Sequence, residues 1–434
     1  MLAYPVMLSQ LGHITVGVAD SLMVGQLGAV PLAASSLANS IFAIVITFGI
    51  GISYGITPLV AAADGERDPL KIRYYFKHGL ILNIAAGILL FILISSLSFT
   101  LYHMGQDEEV ARQAIPYLGI ITFSLVPFMF FQTYRQFAEG LSNTKQAMYV
   151  TLVANLVNIV LNYLLIFGKF GFPAMGLIGA GYATLISRIL MAILMGLYIG
   201  YSKDFKDYDL KFKWVFEKLY FNRILKIGLP SAIQFMFEVG AFVMAAIMVG
   251  WLGAKALAAH QIAINLATIS YMTATGISAA ATIRVGNQLG RRDIPTLRAA
   301  GFTSFIMAAF FMAFCASVFL IGHKFFPTLY IDDTEVIQLA ASLIIVVSLF
   351  QLSDGIQVVG LGALRGMADV KIPTYVTFLA YWIIGLPVGY FFGFTLEYGA
   401  IGVWYGLLIG LTITAVLLVF RFNYITKKLL KELN

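Results

Sequence analysis

Three carboxylates stand inside apolar stretches of this chain: Asp20, Glu238 and Asp354. Each lies on a polar stripe at helical spacing. Gln10 and His13 share a face with Asp20, Ser231 and Gln234 with Glu238, and Gln351 and Gln357 flank Asp354 at i, i+3, i+6. Asn155, Asn158 and Asn162 form a fourth stripe. An ionisable side chain at the centre of a membrane helix costs roughly 2.5–3.5 kcal/mol on insertion scales, so each such residue is a functional candidate. Lipid cannot hydrogen-bond these stripes, which must face protein or a wet cavity. Arg188 is the only obvious pairing cation for these acids and cannot serve all three. Burial favours the neutral form of an acid. A carboxylate in a membrane cavity can therefore exchange a proton for Na⁺ or for an organic cation, which is the minimum chemistry of an antiporter. Na⁺ is a hard cation and takes carboxylate and amide oxygens; Asp20 with Asn158, Asn162 and Thr184 is the set that offers them.

The elements that must position these residues follow from composition. Of 434 residues, 60% are hydrophobic and 11% charged, with a net charge of +7. An ordinary soluble domain carries about 25% charge, which disfavours a soluble enzyme, and a disordered chain would need the opposite balance. Cys315 is the only cysteine, which leaves no disulfide framework and no Cys-based zinc site. A hydrocarbon core takes roughly 20 apolar residues per helix. Twelve spans fit, near 3–27, 37–63, 78–101, 114–138, 146–167, 177–200, 227–250, 258–286, 299–323, 337–364, 373–394 and 399–421.

With the N-terminus inside, twenty-three Lys and Arg fall on the cytoplasmic side. The opposite side receives only Arg112, Lys169, Lys255 and Lys324. This bias puts both termini in the cytoplasm and makes the basic charge a topology signal rather than a nucleic-acid patch. Seven of those residues (Lys203, Lys206, Lys211, Lys213, Lys218, Arg223 and Lys226) lie in one connection that can touch anionic lipid. No basic n-region of a cleavable signal precedes the first span, and a short cytoplasmic leader is expected before it.

Sliding the chain by 225 residues aligns 5–73 with 230–298 without a gap, with 22 identities in 69 positions. Met23-Val24-Gly25 falls on Met248-Val249-Gly250, Gly51-Ile52-Ser53 on Gly276-Ile277-Ser278, and Gly65, Arg67, Asp68 and Arg73 on Gly290, Arg292, Asp293 and Arg298. His13 falls on Glu238. A repeat of six helices keeps its orientation, so the halves are expected about a pseudo-two-fold axis along the membrane normal. The expected organisation is an N-terminal six-helix lobe (1–200), a basic cytoplasmic linker (201–226), a C-terminal six-helix lobe (227–421) and a cytoplasmic tail (422–434).

The sequence resembles the multidrug and toxic compound extrusion (MATE) family, in its bacterial NorM-like branch, over essentially the whole chain. The resemblance rests on Val18-Ala19-Asp20-Ser21-Leu22-Met23-Val24-Gly25, Asn158-Ile159-Val160-Leu161-Asn162-Tyr163, Phe237-Glu238-Val239, Ala258-Ala259-His260-Gln261, Arg284-Val285-Gly286-Asn287 and Leu364-Arg365-Gly366. It implies an all-α fold of two six-helix lobes in a V and export of amphipathic cationic drugs against Na⁺ or H⁺. Asp20 matches the family's N-lobe cation-binding aspartate, with Asn158, Asn162 and Thr184 similar to its oxygen partners. Pro5 resembles the proline at which the first helix bends. Glu238 and Asp354 match the C-lobe acidic pair, and Gln234 accompanies them on its stripe. Some relatives carry a cation-contacting tyrosine one turn before the tenth-helix aspartate; here that position is Phe350. The C-lobe site is therefore expected to bind Na⁺ weakly, or to serve H⁺ or drug.

The reading is a cation-coupled multidrug antiporter of the bacterial plasma membrane, acting as a monomer without a cofactor. Its coupling ion is Na⁺ or H⁺, and its partners are small organic cations and the bilayer. A lipid-linked oligosaccharide flippase of the same superfamily is the alternative, although such proteins place more basic residues in the cavity. An intramembrane enzyme is disfavoured by the absence of GxGD and HExxH motifs, and an ATP pump by the absence of a P-loop.

Overall fold

The computed structural model describes residues 2–103, 107–208, 210 and 216–433. Lys211 and Lys213, both counted in the basic linker, lie outside them. Among the described residues every regular element is helical. Helix α1 is Ala3–Gly25. Among the described residues, eleven segments other than α1 are long and apolar enough to cross a membrane: α2 (Ala29–Gly65), α3 (Pro69–Tyr102), α4 (Glu108–Gly140), α5 (Lys145–Phe167), α6 (Gly176–Tyr201), α7 (Lys218–Gly250), α8 (Ala254–Gly290), α9 (Ile294–Gly322), α10 (Thr334–Gly366), α11 (Lys371–Thr395) and α12 (Gly399–Glu432). The chain is an all-α, multi-pass membrane protein, as expected from its sequence.

Several helices outrun the bilayer. The 37 residues of α8 span about 55 Å, against a hydrocarbon core of about 30 Å. Helix α2 starts at Ala29, earlier than the apolar run suggested, because Gly28 makes the turn at φ 117°. Only a residue without a Cβ takes that conformation cheaply. Helix α12 continues to Glu432, so most of the segment beyond 421 is helical. The linker contains a 3₁₀ turn at Lys203–Tyr208 before α7 begins at Lys218.

The duplication is visible in the backbone. Positive φ angles recur at repeat-related positions, Gly28 and Gly253 (117° and 110°) and Arg67 and Arg292 (56° and 59°), and Gly176 and Gly399, 223 residues apart, open α6 and α12 alike (54° and 57°). Asp68 and Asp293 cap α3 and α9 alike, each accepting a main-chain N–H three residues on at 3.0 Å.

The chain forms two compact units, Leu8–Ala232 and Met1–Met7 with Ile233–Asn434. Both boundaries cut through helices, α1 and α7, at positions 225 apart. Each unit uses glycine where the borrowed first turns pack. A Cβ on Gly276 of α8 would stand 2.4 Å from Met7 Cγ, and one on Gly51 of α2 would stand 2.4 Å from Ala232 Cα.

Within the second of these units, α11 and α12 meet backbone to backbone. Gly385, Gly389 and Gly393 on α11 face Gly402, Gly406 and Gly410 on α12; a Cβ on Gly406 would stand 2.3 Å from the Gly385 carbonyl oxygen. Rows of small residues at every fourth position allow this approach between membrane helices. Helix α11 also widens to π-helical geometry at Leu379–Gly385, where side chains are re-aimed. Tyr381 and Trp382 lie on that turn.

Candidate functional site

In the N-terminal unit, α1 presents Asp20 to α5. Asn162 Nδ2 donates to Asp20 Oδ1 and, at 3.1 Å, to Asn158 Oδ1. Asn158 Nδ2 donates at 3.4 Å to Ser187 Oγ of α6, which itself donates to the Thr184 carbonyl at 2.9 Å. The structure thus links all four residues proposed from the sequence, with Thr184 entering through its main chain rather than its hydroxyl. Asn158 and Asn162 are buried, and the Asn162 side-chain carbonyl has no hydrogen-bond partner. A buried acceptor without a donor costs about 1–3 kcal/mol, and a cation would satisfy it.

Arg188 does not pair with Asp20. Its Nη1 donates to Ser124 Oγ at 2.7 Å, and its guanidinium lies over Phe42 (4.7 Å) and Phe128 (5.2 Å). Two ring faces and a hydroxyl hold the charge within electrostatic reach of the acid without neutralising it by contact. Pro5 sits in the first turn of α1, where a missing N–H removes no helical hydrogen bond.

In the C-terminal unit, Glu238 of α7 accepts from Gln234 Nε2 (2.8 Å) on Oε2 and from Gln357 Nε2 (3.3 Å) on Oε1. The other end of the Gln357 amide accepts from Tyr381 Oη at 2.8 Å. Trp382 Nε1 donates to the Phe237 carbonyl at 2.9 Å, fixing α11 against α7 beside the acid. Asp354 is buried and within electrostatic reach of Glu238, yet among the described residues it forms no hydrogen bond or ion pair. Gln351, one turn earlier, is fully buried with both amide atoms unpartnered. Phe350 packs edge-on against Trp404 at 5.6 Å, and Trp404 Nε1 donates to His260 Nδ1 at 3.1 Å.

The acids occupy different rungs of the repeat. Glu238 stands where the N-terminal half has His13, and Asp20 where the C-terminal half has Ala245. The chemistry has diverged on a shared backbone.

Three features escaped the sequence reading. Tyr381 and Trp382 were two aromatics among many. Arg135, counted among the cytoplasmic basic residues although it falls in the 114–138 span, lies buried in α4, with Nε 2.7 Å from Glu139 Oε1. The i, i+4 spacing of opposite charges beside an apolar run was the available signal.

Comparison with known proteins gives the family. The family model MatE matches residues 5–164 and 230–391, one copy in each half. "Multidrug resistance protein MdtK" of Yersinia pseudotuberculosis serotype O:1b (strain IP 31758) is 35% identical, over 98% of this chain and 95% of that protein. "Multidrug resistance protein NorM" of Photobacterium profundum is 34% identical, over 98% and 94%. Among solved structures, an outward-facing multidrug resistance MATE family transporter of the MOP superfamily superposes with a TM-score of 0.90 at 21% identity, covering 99% of this chain and 95% of that one. The eukaryotic MATE transporter AtDTX14 gives 0.87 at 22% identity, covering 100% and 97%. Duplicated halves, near-full-length relatives and a shared fold lead to one assignment: the chain belongs to the MatE family of membrane transporters and is not an enzyme.

Proposed function

We propose that the chain is a multidrug exporter coupled to Na⁺ or H⁺, working by alternating access on small, mostly cationic organic compounds. The observation that carries this reading is Asp20. It is an acid on a membrane helix whose hydrogen-bond partner is an uncharged amide, and that amide keeps an unsatisfied carbonyl beside it. Such a site holds one positive charge at a time, so proton, metal cation and drug compete for it. Asp20, Asn158, Asn162 and Thr184 form the N-lobe cation site in this reading. Glu238, Asp354 and Gln234 form the C-lobe site for cation or substrate. The names of the MdtK and NorM relatives support the drug-export part. The bacterial inner membrane, both termini in the cytoplasm and a monomeric working unit complete the proposal.

The test is efflux of a cationic dye from vesicles under an imposed Na⁺ or H⁺ gradient. The expected result is gradient-driven efflux that Asp20→Asn abolishes while the variant stays in the membrane. Efflux retained in that variant would remove Asp20 from the mechanism, and transport insensitive to both gradients would favour the flippase.

A further inference from the structure

We propose that the side-chain carbonyl of Gln351 is a ligand of the cation held at Asp354, and that this cation is a hard monovalent ion of the Na⁺ class. The proposal rests on the antiport reading and adds a residue to its C-lobe site.

Gln351 is fully buried, and neither its carbonyl nor its NH₂ group has a partner. A buried amide left wholly unsatisfied is rare in a native structure, and each such group calls for an explanation. Asp354 follows three residues later on the same helix face, with its carboxylate free of hydrogen bonds among the described residues. Side chains at i and i+3 have Cβ atoms about 5–6 Å apart. Oxygens on opposite sides of a hard cation, each about 2.3–2.6 Å from it, stand about 5 Å apart. Cβ atoms one helical turn apart leave the two longer side chains room to converge on a single ion.

The neighbouring positions explain why the ligand is at 351. Phe350 has no oxygen to offer and is committed to packing on Trp404. Glu238 meets Gln234 and Gln357 with one oxygen each. A carboxylate oxygen has two lone pairs, so Glu238 can still face an ion at Asp354. Two carboxylates and one amide carbonyl form an all-oxygen set, which suits Na⁺ better than a lone acid built for a proton.

The experiment measures ²²Na⁺ binding to the full-length protein in lipid nanodiscs, in an Asp20→Asn background so that the C-lobe site is read alone. The expected result is saturable binding that Asp354→Asn removes and Gln351→Leu weakens at least tenfold. Gln351→Glu, which keeps an oxygen in place, should bind at least as tightly as the parent. Parental affinity in Gln351→Leu would overturn the assignment, as would equal weakening by Leu and Glu, which would mark a packing role. A parent without any binding sensitive to Asp354→Asn would overturn the C-lobe cation reading itself, and Gln351 with it.

Discussion

Asn162 donates a hydrogen bond to Asp20 and leaves its own side-chain carbonyl buried without a donor. One amide thus orients the acid through its nitrogen and offers a second oxygen to whatever the acid binds. Replacing it by the near-isosteric leucine removes both contributions. A hydrogen bond to a charged group is worth about 1.5–3 kcal/mol, or about 10- to 100-fold in affinity. Asn162→Leu should raise the cation concentration giving half-maximal dye efflux by that factor. An unchanged concentration dependence would show that Asn162 only packs.

Gln357 joins Tyr381 to Glu238 across a single amide. The tyrosine hydroxyl fixes which end of the amide is the carbonyl and so aims the NH₂ group at the carboxylate. Tyr381→Phe frees that amide to turn. The variant should lose about 0.5–1.5 kcal/mol of stability, and the pH profile of efflux should move because Glu238 loses an oriented donor. A melting-temperature loss with no change in the pH profile would reduce Tyr381 to a structural role.

The Arg135–Glu139 pair on α4 is buried on both sides. Removing one partner of such a pair typically costs about 3–5 kcal/mol, whereas replacing both by apolar residues of similar size is often neutral. Glu139→Gln should therefore lower the melting temperature sharply, and the double variant Arg135→Met/Glu139→Met should recover most of the loss. A double variant as unstable as the single one would mean that Arg135 or Glu139 serves partners beyond the pair.

Polar residues in lipid-facing composition are conspicuous, which is why Asp20, Asn158, Asn162, Glu238, Gln234 and Asp354 could be read from the sequence. Their partners were legible only where they were polar too. Tyr381 and Trp382 could not be separated from packing aromatics, because what distinguishes them is a π-helical turn with no pattern in the residue types. Arg135 and Glu139 sit where an apolar run ends, and their pairing shows only once the helix is seen to continue to Gly140. The duplication was legible as identities and reappears as matched backbone turns, since the turns depend on backbone conformation at positions the repeat keeps.

The glycine rows joining α11 and α12 give a stability prediction with an internal control. A methyl at Gly406 would lie 2.3 Å from a carbonyl oxygen, so Gly406→Ala should force the helices apart and lower the melting temperature by several degrees. Gly119, inside α4, has nothing within 4 Å of its missing Cβ. Gly119→Ala should be neutral or stabilise by about 0.5–1 kcal/mol, the usual helix preference for alanine. Equal effects at the two positions would mean that the α11–α12 approach does not depend on glycine.

The offset of the acids within the repeat has an electrical consequence. Measured along the equivalent helices α1 and α7, Glu238 lies seven residues nearer the helix start than Asp20's position, about 10 Å at 1.5 Å per residue. Under the proposed topology α7 starts at the cytoplasmic side, so that distance along its own helix is about a third of the 30 Å hydrocarbon layer an outside ion has to cross. A full crossing is worth about 2.3 kcal/mol per charge at 100 mV, so loading at Glu238 should draw about 0.8 kcal/mol more from the resting potential than loading at an acid moved to position 245 by Glu238→Ala/Ala245→Glu. Occupancy of the parent acid should therefore fall more steeply on depolarising the membrane than occupancy of the shifted one.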